Sequence, residues 1–233
     1  MLLLAFCCSS ISQAQITTVW VEDALPAGRW RRATVDPWNW ISSNPAPYSG
    51  ALAHQSALAG GEHQHYFYNA TATLSVAVGE SLFAYVYLDP ANPPSEVMLQ
   101  WNDGSWEHRA YWGANLIPWG NDGTVARHAM GALPAVGQWV RLEVAASVVG
   151  LEGRVLNGMA FTLYDGRATW DYAGKSSAGT LTSQSISFNA LSNQTLGAAP
   201  FTVNATASSG LSVTFASLTT SVCTVSGAHG NVG

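Results

Sequence analysis

Short stretches of polar–apolar alternation, each closed by a turn signal, dominate this chain. Residues 71–78, 81–88 and 139–144 alternate with a period of two, the spacing that sends successive side chains to opposite faces of a strand. Gly79-Glu80, Asp89-Pro90, Pro93-Pro94 and Asn102-Asp103-Gly104 separate such stretches and read as turns. Helical periodicity is confined to one candidate turn at residues 145–151, with Ser147 as its cap. Strands at this spacing, without βαβ alternation, predict an all-β chain, either a sandwich or a jelly roll.

Composition sharpens that expectation. Apolar residues make up 48% of the 233 positions and include ten Trp, enough to bury a core and to argue against disorder. Charged residues are only 10%, against about a quarter in an average domain. Ser, Thr, Asn, Gln and Gly must therefore supply the polar surface. A net charge of −5 with nine Lys and Arg argues against nucleic acid, whose phosphates need basic patches.

Residues 1–15 read as a signal peptide. An apolar run leads into Ser12-Gln13-Ala14, small at −3 and −1 of a cut after Ala14, although no Lys or Arg precedes the run. A short buried segment of the fold is the alternative. No other stretch approaches the roughly 18 apolar residues that span a bilayer, so the expected location is secreted, extracellular or cell-surface. Cys7 and Cys8 fall within the presumed signal, which leaves Cys223 odd and in need of a partner.

Beyond the signal the chain reads as two domains. Residues 16–175 are rich in Trp, Tyr, His and Pro; residues 176–182 form a small-residue linker; from 183 to 233 there is no Trp, Tyr, Lys, Arg, Asp or Glu. In the last part, Ile186-Ser-Phe188, Leu191-Ser-Asn-Gln-Thr195, Pro200-Phe-Thr-Val203, Ala207-Ser-Ser-Gly-Leu-Ser-Val213 and Ser221-Val-Cys-Thr-Val225 resemble the immunoglobulin-like repeats of bacterial surface proteins. The resemblance covers about fifty residues. It implies a partial immunoglobulin-like β-sandwich acting as a stalk, with Cys223 pairing to a cysteine beyond Gly233.

In the larger domain, Gly137-Gln-Trp-Val-Arg-Leu-Glu-Val144, then Val149-Gly-Leu-Glu-Gly153, Leu156-Asn-Gly-Met-Ala-Phe-Thr-Leu-Tyr164 and Asp165-Gly-Arg-Ala-Thr-Trp-Asp171 follow a recognisable order. A strand opening on Gly-x-Trp, a Leu/Gly turn, an apolar strand and a last strand ending in Asp resemble the galactose-binding-like jelly roll. That resemblance implies a jelly-roll β-sandwich of the kind found in carbohydrate-binding and adhesion modules. It also implies a structural Ca2+ between first and last strands, with Glu22, Asp23 and Asp171 as carboxylate ligands; the bland alternative is strand-end acids in water.

Aromatic rings beside polar side chains are the remaining functional signal. Sugars stack C–H faces on exposed rings while amides, acids and Arg bond their hydroxyls. Trp38, Trp40, Trp106, Glu107, Arg109, Tyr111, Trp112 and Trp119 are the candidate ligand-binding residues. Most Trp in a sandwich are nonetheless core, so six or seven of the ten are expected inside, with Trp20, Trp139 and Trp170 foremost. His63-x-His65 shares one strand face with Glu62 nearby, but no third ligand is evident for a metal. Acid pairs such as Glu107 with Asp103, or Glu96 with Asp122, leave a hydrolase open without supporting one, and no Gly-x-Ser-x-Gly, His-Glu-x-x-His or P-loop is present.

The expectation is therefore a non-catalytic extracellular module on a larger protein, binding carbohydrate or another cell-surface ligand. The alternatives are a structural or adhesive protein-binding module and a polysaccharide hydrolase.

Overall fold

In the computed structural model, described for residues 4–7, 16–28, 36–177, 185–188, 190–195, 197–208, 210, 212–226 and 229–232, the alternation becomes short strands. In chain order they begin with β1 (Leu4–Cys7), β2 (Ile16–Val21), β3 (Asn39–Ile41), β4 (Ala53–Gln55), β5 (Glu62–Phe67) and β6 (Leu74–Ser75). Next come β7 (Glu80–Leu88), β8 (Glu96–Asn102), β9 (Arg109–Gly113), β10 (His128–Ala129) and β11 (Trp139–Ala145). A 3-10 turn at Ala146–Val149 precedes β12 (Val155–Leu156), β13 (Gly158–Tyr164) and β14 (Ala168–Ser177). The series closes with β15 (Ile186–Phe188), β16 (Phe201–Thr202), β17 (Ala205–Ala207), β18 (Thr214–Ser217), β19 (Cys223–Ser226) and β20 (His229–Val232). The chain divides into a larger unit, Gln15–Gly179, and a smaller one made of Met1–Ala14 with Thr180–Gly233.

The larger unit is a jelly-roll β-sandwich. One sheet has the order β10-β9-β8-β13-β5; the other has β11-β7-β14-β4-β3, with β2 also paired to β14. Alternation sets which residues meet between the sheets. Leu82, Ala84, Val86 and Leu88 of β7 join Leu142 and Val144 of β11 in the same core as Val97, Leu99 and Trp101 of β8 and Phe161 and Leu163 of β13. Trp170 lies at its centre with no exposure. Burying such side chains contributes roughly 1.5–3 kcal/mol each, and the intervening residues are left facing outward.

Two local expectations change. The alternating stretch 71–78 pairs only at Leu74–Ser75. The helical turn forms as expected, but Ala145 occupies its N-cap with no side-chain hydrogen bond, and Gly150 closes it in the left-handed conformation.

First and last strands do lie side by side, as β2 runs antiparallel to residues 173–177 of β14. Asp171 does not end that strand: β14 continues through a bulge to Ser177, two residues into the stretch read as a linker. Residues 178–182 of that linker lie outside the described residues. Gly174 lets β2 approach, because a Cβ there would sit 2.1 Å from the Thr18 carbonyl oxygen.

In the smaller unit β15 pairs β17, β20 lies between β16 and β19, and β1 pairs β18 in register Leu4 to Ser217. Strands β15 to β18 alternate half-buried with exposed residues; Val203 and Cys223 are the unit's buried members among the described residues.

Candidate functional site

The outward residues of the five-stranded sheet form a polar ladder. On β5, β13, β8 and β9 the registers set Gln64 opposite Thr162, Tyr66 opposite Ala160, Ala160 opposite Gln100, and Gln100 opposite Arg109. Gln100 Nε2 donates to Thr162 Oγ1 at 2.7 Å and to Gln64 Oε1 at 3.1 Å, while Thr162 Oγ1 donates to Gln64 Oε1 at 2.9 Å. Arg109 Nε donates to Gln100 Oε1 at 2.8 Å, so amide, hydroxyl and guanidinium hold one another in place. Such mutual bonding fixes side chains at buried positions without stranding a polar group.

Above the ladder opens a cavity of about 320 Å³, lined by Gln64, Tyr66, Gln100, Trp106, Arg109, Trp119 and Ala160. Two half-buried Trp bound it. Trp106 meets Tyr66 edge-to-face at 5.7 Å. Trp119 rides on a loop packed against Met98, Tyr111 and Ile117. That loop is pinned from below by Glu96, whose Oε2 accepts the amides of Leu116 at 2.5 Å and Ile117 at 3.0 Å; burial raises the Glu96 pKa. From above, Asp122 accepts from Tyr111 Oη at 3.0 Å and Asn115 Nδ2 at 2.8 Å. Arg109 Nη1 donates to Glu107 at 3.1 Å and to the Ala126 carbonyl at 2.9 Å. Gly120 makes room for that contact, because at its φ of +78° a Cβ would lie 2.4 Å from Ala126 O and 2.8 Å from Arg109 Nη1.

Of the eight expected ligand-binding residues, the structure brings Trp106, Arg109 and Trp119 to the cavity and places Glu107 behind Arg109. The other four change role. Trp112 points into the core at 8% exposure, because strand parity sets it opposite Arg109 and Tyr111. Tyr111 faces out but is covered, its hydroxyl committed to Asp122. Trp38 and Trp40 stack on each other at 5.8 Å and close the core edge, with Trp38 against His54, His65, Phe67 and Phe161. Only Trp101, Trp112 and Trp170 are buried among the described Trp; Trp20 and Trp139 are half-buried.

Gln64, Tyr66, Gln100, Ala160 and Thr162 were not anticipated. For all but Ala160, which carries no polar signal, the mark was an amide or hydroxyl at an outward parity position, as at Gln100 within the fully buried β8.

The acids read as calcium ligands converge on the loop at residues 48–52. Asp23 Oδ1 accepts the amides of Ala51 at 2.8 Å and Leu52 at 2.7 Å. Asp171 accepts from Ser49 N at 3.0 Å, and Glu22 accepts from Ser49 Oγ at 2.6 Å. Burial, with Glu22 adding like charge, raises the Asp171 pKa. Glu22 and Asp171 thus both bond Ser49, whereas Asp23 is taken up by loop amides. Among the described residues no group of three or more His, Cys, Asp or Glu is arranged to hold a metal.

The acid pairs considered for hydrolysis are engaged elsewhere. Glu96 and Asp122 anchor the Trp119 loop, and Asp103 meets His108 Nε2 at 3.2 Å. The hydrogen bond from Arg109 lowers the Glu107 pKa, the opposite of what a general acid needs. His63 and His65 point inward and are buried.

No protein-family model matches this chain, and no curated protein does. Among solved structures, the glycoside hydrolase domain of Endo-D from Streptococcus pneumoniae R6 superposes with a TM-score of 0.41 at 14% identity. That match covers 77% of this chain and 26% of the other. The CBM22-1 xylan-binding domain of Paenibacillus barcinonensis gives 0.40 at 13% identity, covering 71% of this chain and 99% of that domain. The K3 cleaved adhesin domain of Lys-gingipain from Porphyromonas gingivalis w83 gives 0.39 at 17%, covering 70% and 100%.

Proposed function

We propose that the larger unit is a non-catalytic module that binds carbohydrate on the outer face of its five-stranded sheet. The observation that carries this is that Gln64, Gln100 and Arg109, held in a ladder by the buried Thr162, line the cavity between Trp106 and Trp119. A sugar offers hydroxyls that donate and accept, and two amides with a guanidinium answer both. It also offers flat C–H faces that pack on indole rings. The side chains are already held by one another, so little rotamer freedom is lost on binding. Binding is favoured over hydrolysis because, among the described residues, no carboxylate lines the cavity.

The test is a glycan array and an insoluble-polysaccharide pull-down with the whole chain. Retention that Trp106→Ala and Trp119→Ala each weaken at least tenfold, at unchanged melting temperature, supports the site. Retention that neither change weakens overturns it and moves the ligand to another surface.

Three further parts of this reading have their own support. Secretion is supported by the apolar run ending in Ser12-Gln13-Ala14; N-terminal sequencing of the exported protein checks the cut. A spacer role for residues 183–233 is supported by their strand pairs and uncharged composition. Calcium at Glu22 and Asp171 is supported by two neighbouring carboxylates with raised cost of ionisation at Asp171. Calorimetry after chelation is decisive there, since no heat and no thermal stabilisation eliminates the ion.

A further inference from the structure

We infer that the outer face of the six-stranded sheet holds a second saccharide site, making the module bivalent. The inference builds on the carbohydrate reading of the first face and extends it to a surface about which the sequence was silent. A cavity of about 280 Å³ opens there, beside Asn44, Gln55, Tyr87, Asp89, Arg167 and Thr169.

Its chemistry repeats that of the first. On the five-stranded sheet Gln100 Nε2 donates to Thr162 Oγ1 on the adjacent strand at 2.7 Å; here Gln55 Nε2 donates to Thr169 Oγ1 on the adjacent strand at 2.9 Å. On the first face Arg109 is held by Glu107. On the second, Arg167 Nε and Nη2 donate to Asp89 Oδ2 at 2.9 and 2.6 Å. Tyr87 supplies the ring, set edge-to-face on Trp139 at 5.8 Å.

Register sets these side chains in one row. Trp139 pairs with Tyr87, Tyr87 with Thr169, Thr169 with Gln55, and Gln55 with Asn39. Tyr87, Thr169 and Gln55 line the cavity, and the row ends at Trp139, whose Nε1 donates to the Ala46 carbonyl at 2.9 Å. Neighbouring strands lie about 4.8 Å apart, so the three lining strands span roughly 10 Å, enough for one or two sugar rings. A neutral saccharide fits better than an anion, because the guanidinium of Arg167 is already matched by Asp89. The two sheets pack face to face, so their outer faces point away from each other and one chain can hold two glycan strands.

The experiment is isothermal titration of the whole chain with xylohexaose, cellohexaose and mannohexaose, comparing wild type, Trp106→Ala and Gln55→Ala. A precipitation assay on the matching soluble polysaccharide runs alongside, and melting curves confirm that each variant folds. Two saccharides per chain are expected. Trp106→Ala should leave one, Gln55→Ala should weaken the other at least fivefold, and either change should abolish precipitation by cross-linking. A Tyr87→Ala variant should reproduce Gln55→Ala.

One saccharide per chain, lost entirely in Trp106→Ala, overturns the second site and leaves the first standing. Binding that survives Trp106→Ala but falls in Gln55→Ala keeps this site and overturns the first. Binding of none of the three probes, with all variants folded, overturns both.

Discussion

Strand β5 carries two surfaces one residue apart, and they treat polar side chains in opposite ways. Gln64 and Tyr66 face out, where Gln64 shares its carbonyl with Gln100 and Thr162. His63 and His65 face in and are buried beside His54, Phe161 and Trp38. There His54 Nδ1 and His65 Nε2 share one proton across 2.7 Å, bridging the two sheets, and His63 Nδ1 meets Asp36 Oδ2 at 2.7 Å. His54 Nε2, His63 Nε2 and His65 Nδ1 have no partner among the described residues. The outer groups bond one another, and Gln64, Gln100 and Arg109 line the cavity; the inner ones are incompletely satisfied, and burial holds the His54 and His65 rings toward the neutral form. Exposure decides this, because an unpaired polar group costs little in water and much in a core.

If that division holds, changes inside should move stability and leave the ligand site alone. Phe161, fully buried against His54, His65 and Trp170, is the strongest test. Phe161→Ala should cost about 3–5 kcal/mol in urea unfolding, with saccharide affinity of the remaining folded protein unchanged.

Acid should act on the same interior. Burial lowers the His65 pKa to about 4 from the usual 6.5, with Asp36 raising it and His63 lowering it further, and burial with the His65 charge drives His54 well below 6.5. A lowered folded pKa means the fold prefers the neutral ring. Its stability is fully present above about pH 6.5 and drains away as pH falls toward 4, by roughly 3 kcal/mol for His65. Urea midpoints measured from pH 7.5 to 4.5 should fall steadily, and His65→Gln should flatten the curve. A midpoint independent of pH across that window contradicts the neutral pair.

Changes outside should reverse the pattern. Gln100→Ala removes the hub of the ladder; saccharide affinity should drop at least tenfold, while stability falls by about 1–2 kcal/mol. A stability loss as large as that of Phe161→Ala would erase the distinction between the faces. The smallest effect belongs to Glu107→Gln. The Glu107 side chain is 59% exposed in its pair with Arg109, so stability should change by less than about 1 kcal/mol and affinity by less than threefold.

Legibility in the sequence followed parity. The strands at 80–88 and 139–145 were readable because they alternate and their turns are marked by Gly, Pro, Asn and Asp; the strand at 158–164 was readable only as the apolar strand of the jelly-roll resemblance. Residues 71–78 alternate equally well yet pair only at Leu74–Ser75, since alternation cannot show whether a partner strand lies alongside. Trp106 and Trp119 were found by residue type. Residue type also selected Trp112, where counting parity from Arg109 would have placed it inside. Gln64, Gln100 and Thr162 lie 36 and 62 residues apart, and nothing local marks them as one group.

By itself the sequence determined the all-β architecture, the position of most long strands and the two-faced character of each. Those depend on local backbone preference and on the period of hydrophobicity, which neighbouring residues set among themselves. The tertiary structure decided which faces meet. It joined Gln64, Thr162, Gln100 and Arg109 into one ladder, set Gln55 beside Thr169 on the opposite sheet, and turned Asp23 to the amides of Ala51 and Leu52. Strand order and register are fixed by summed packing over the whole sandwich. A binding surface made by pairing distant strands therefore exists only once the sheets have closed.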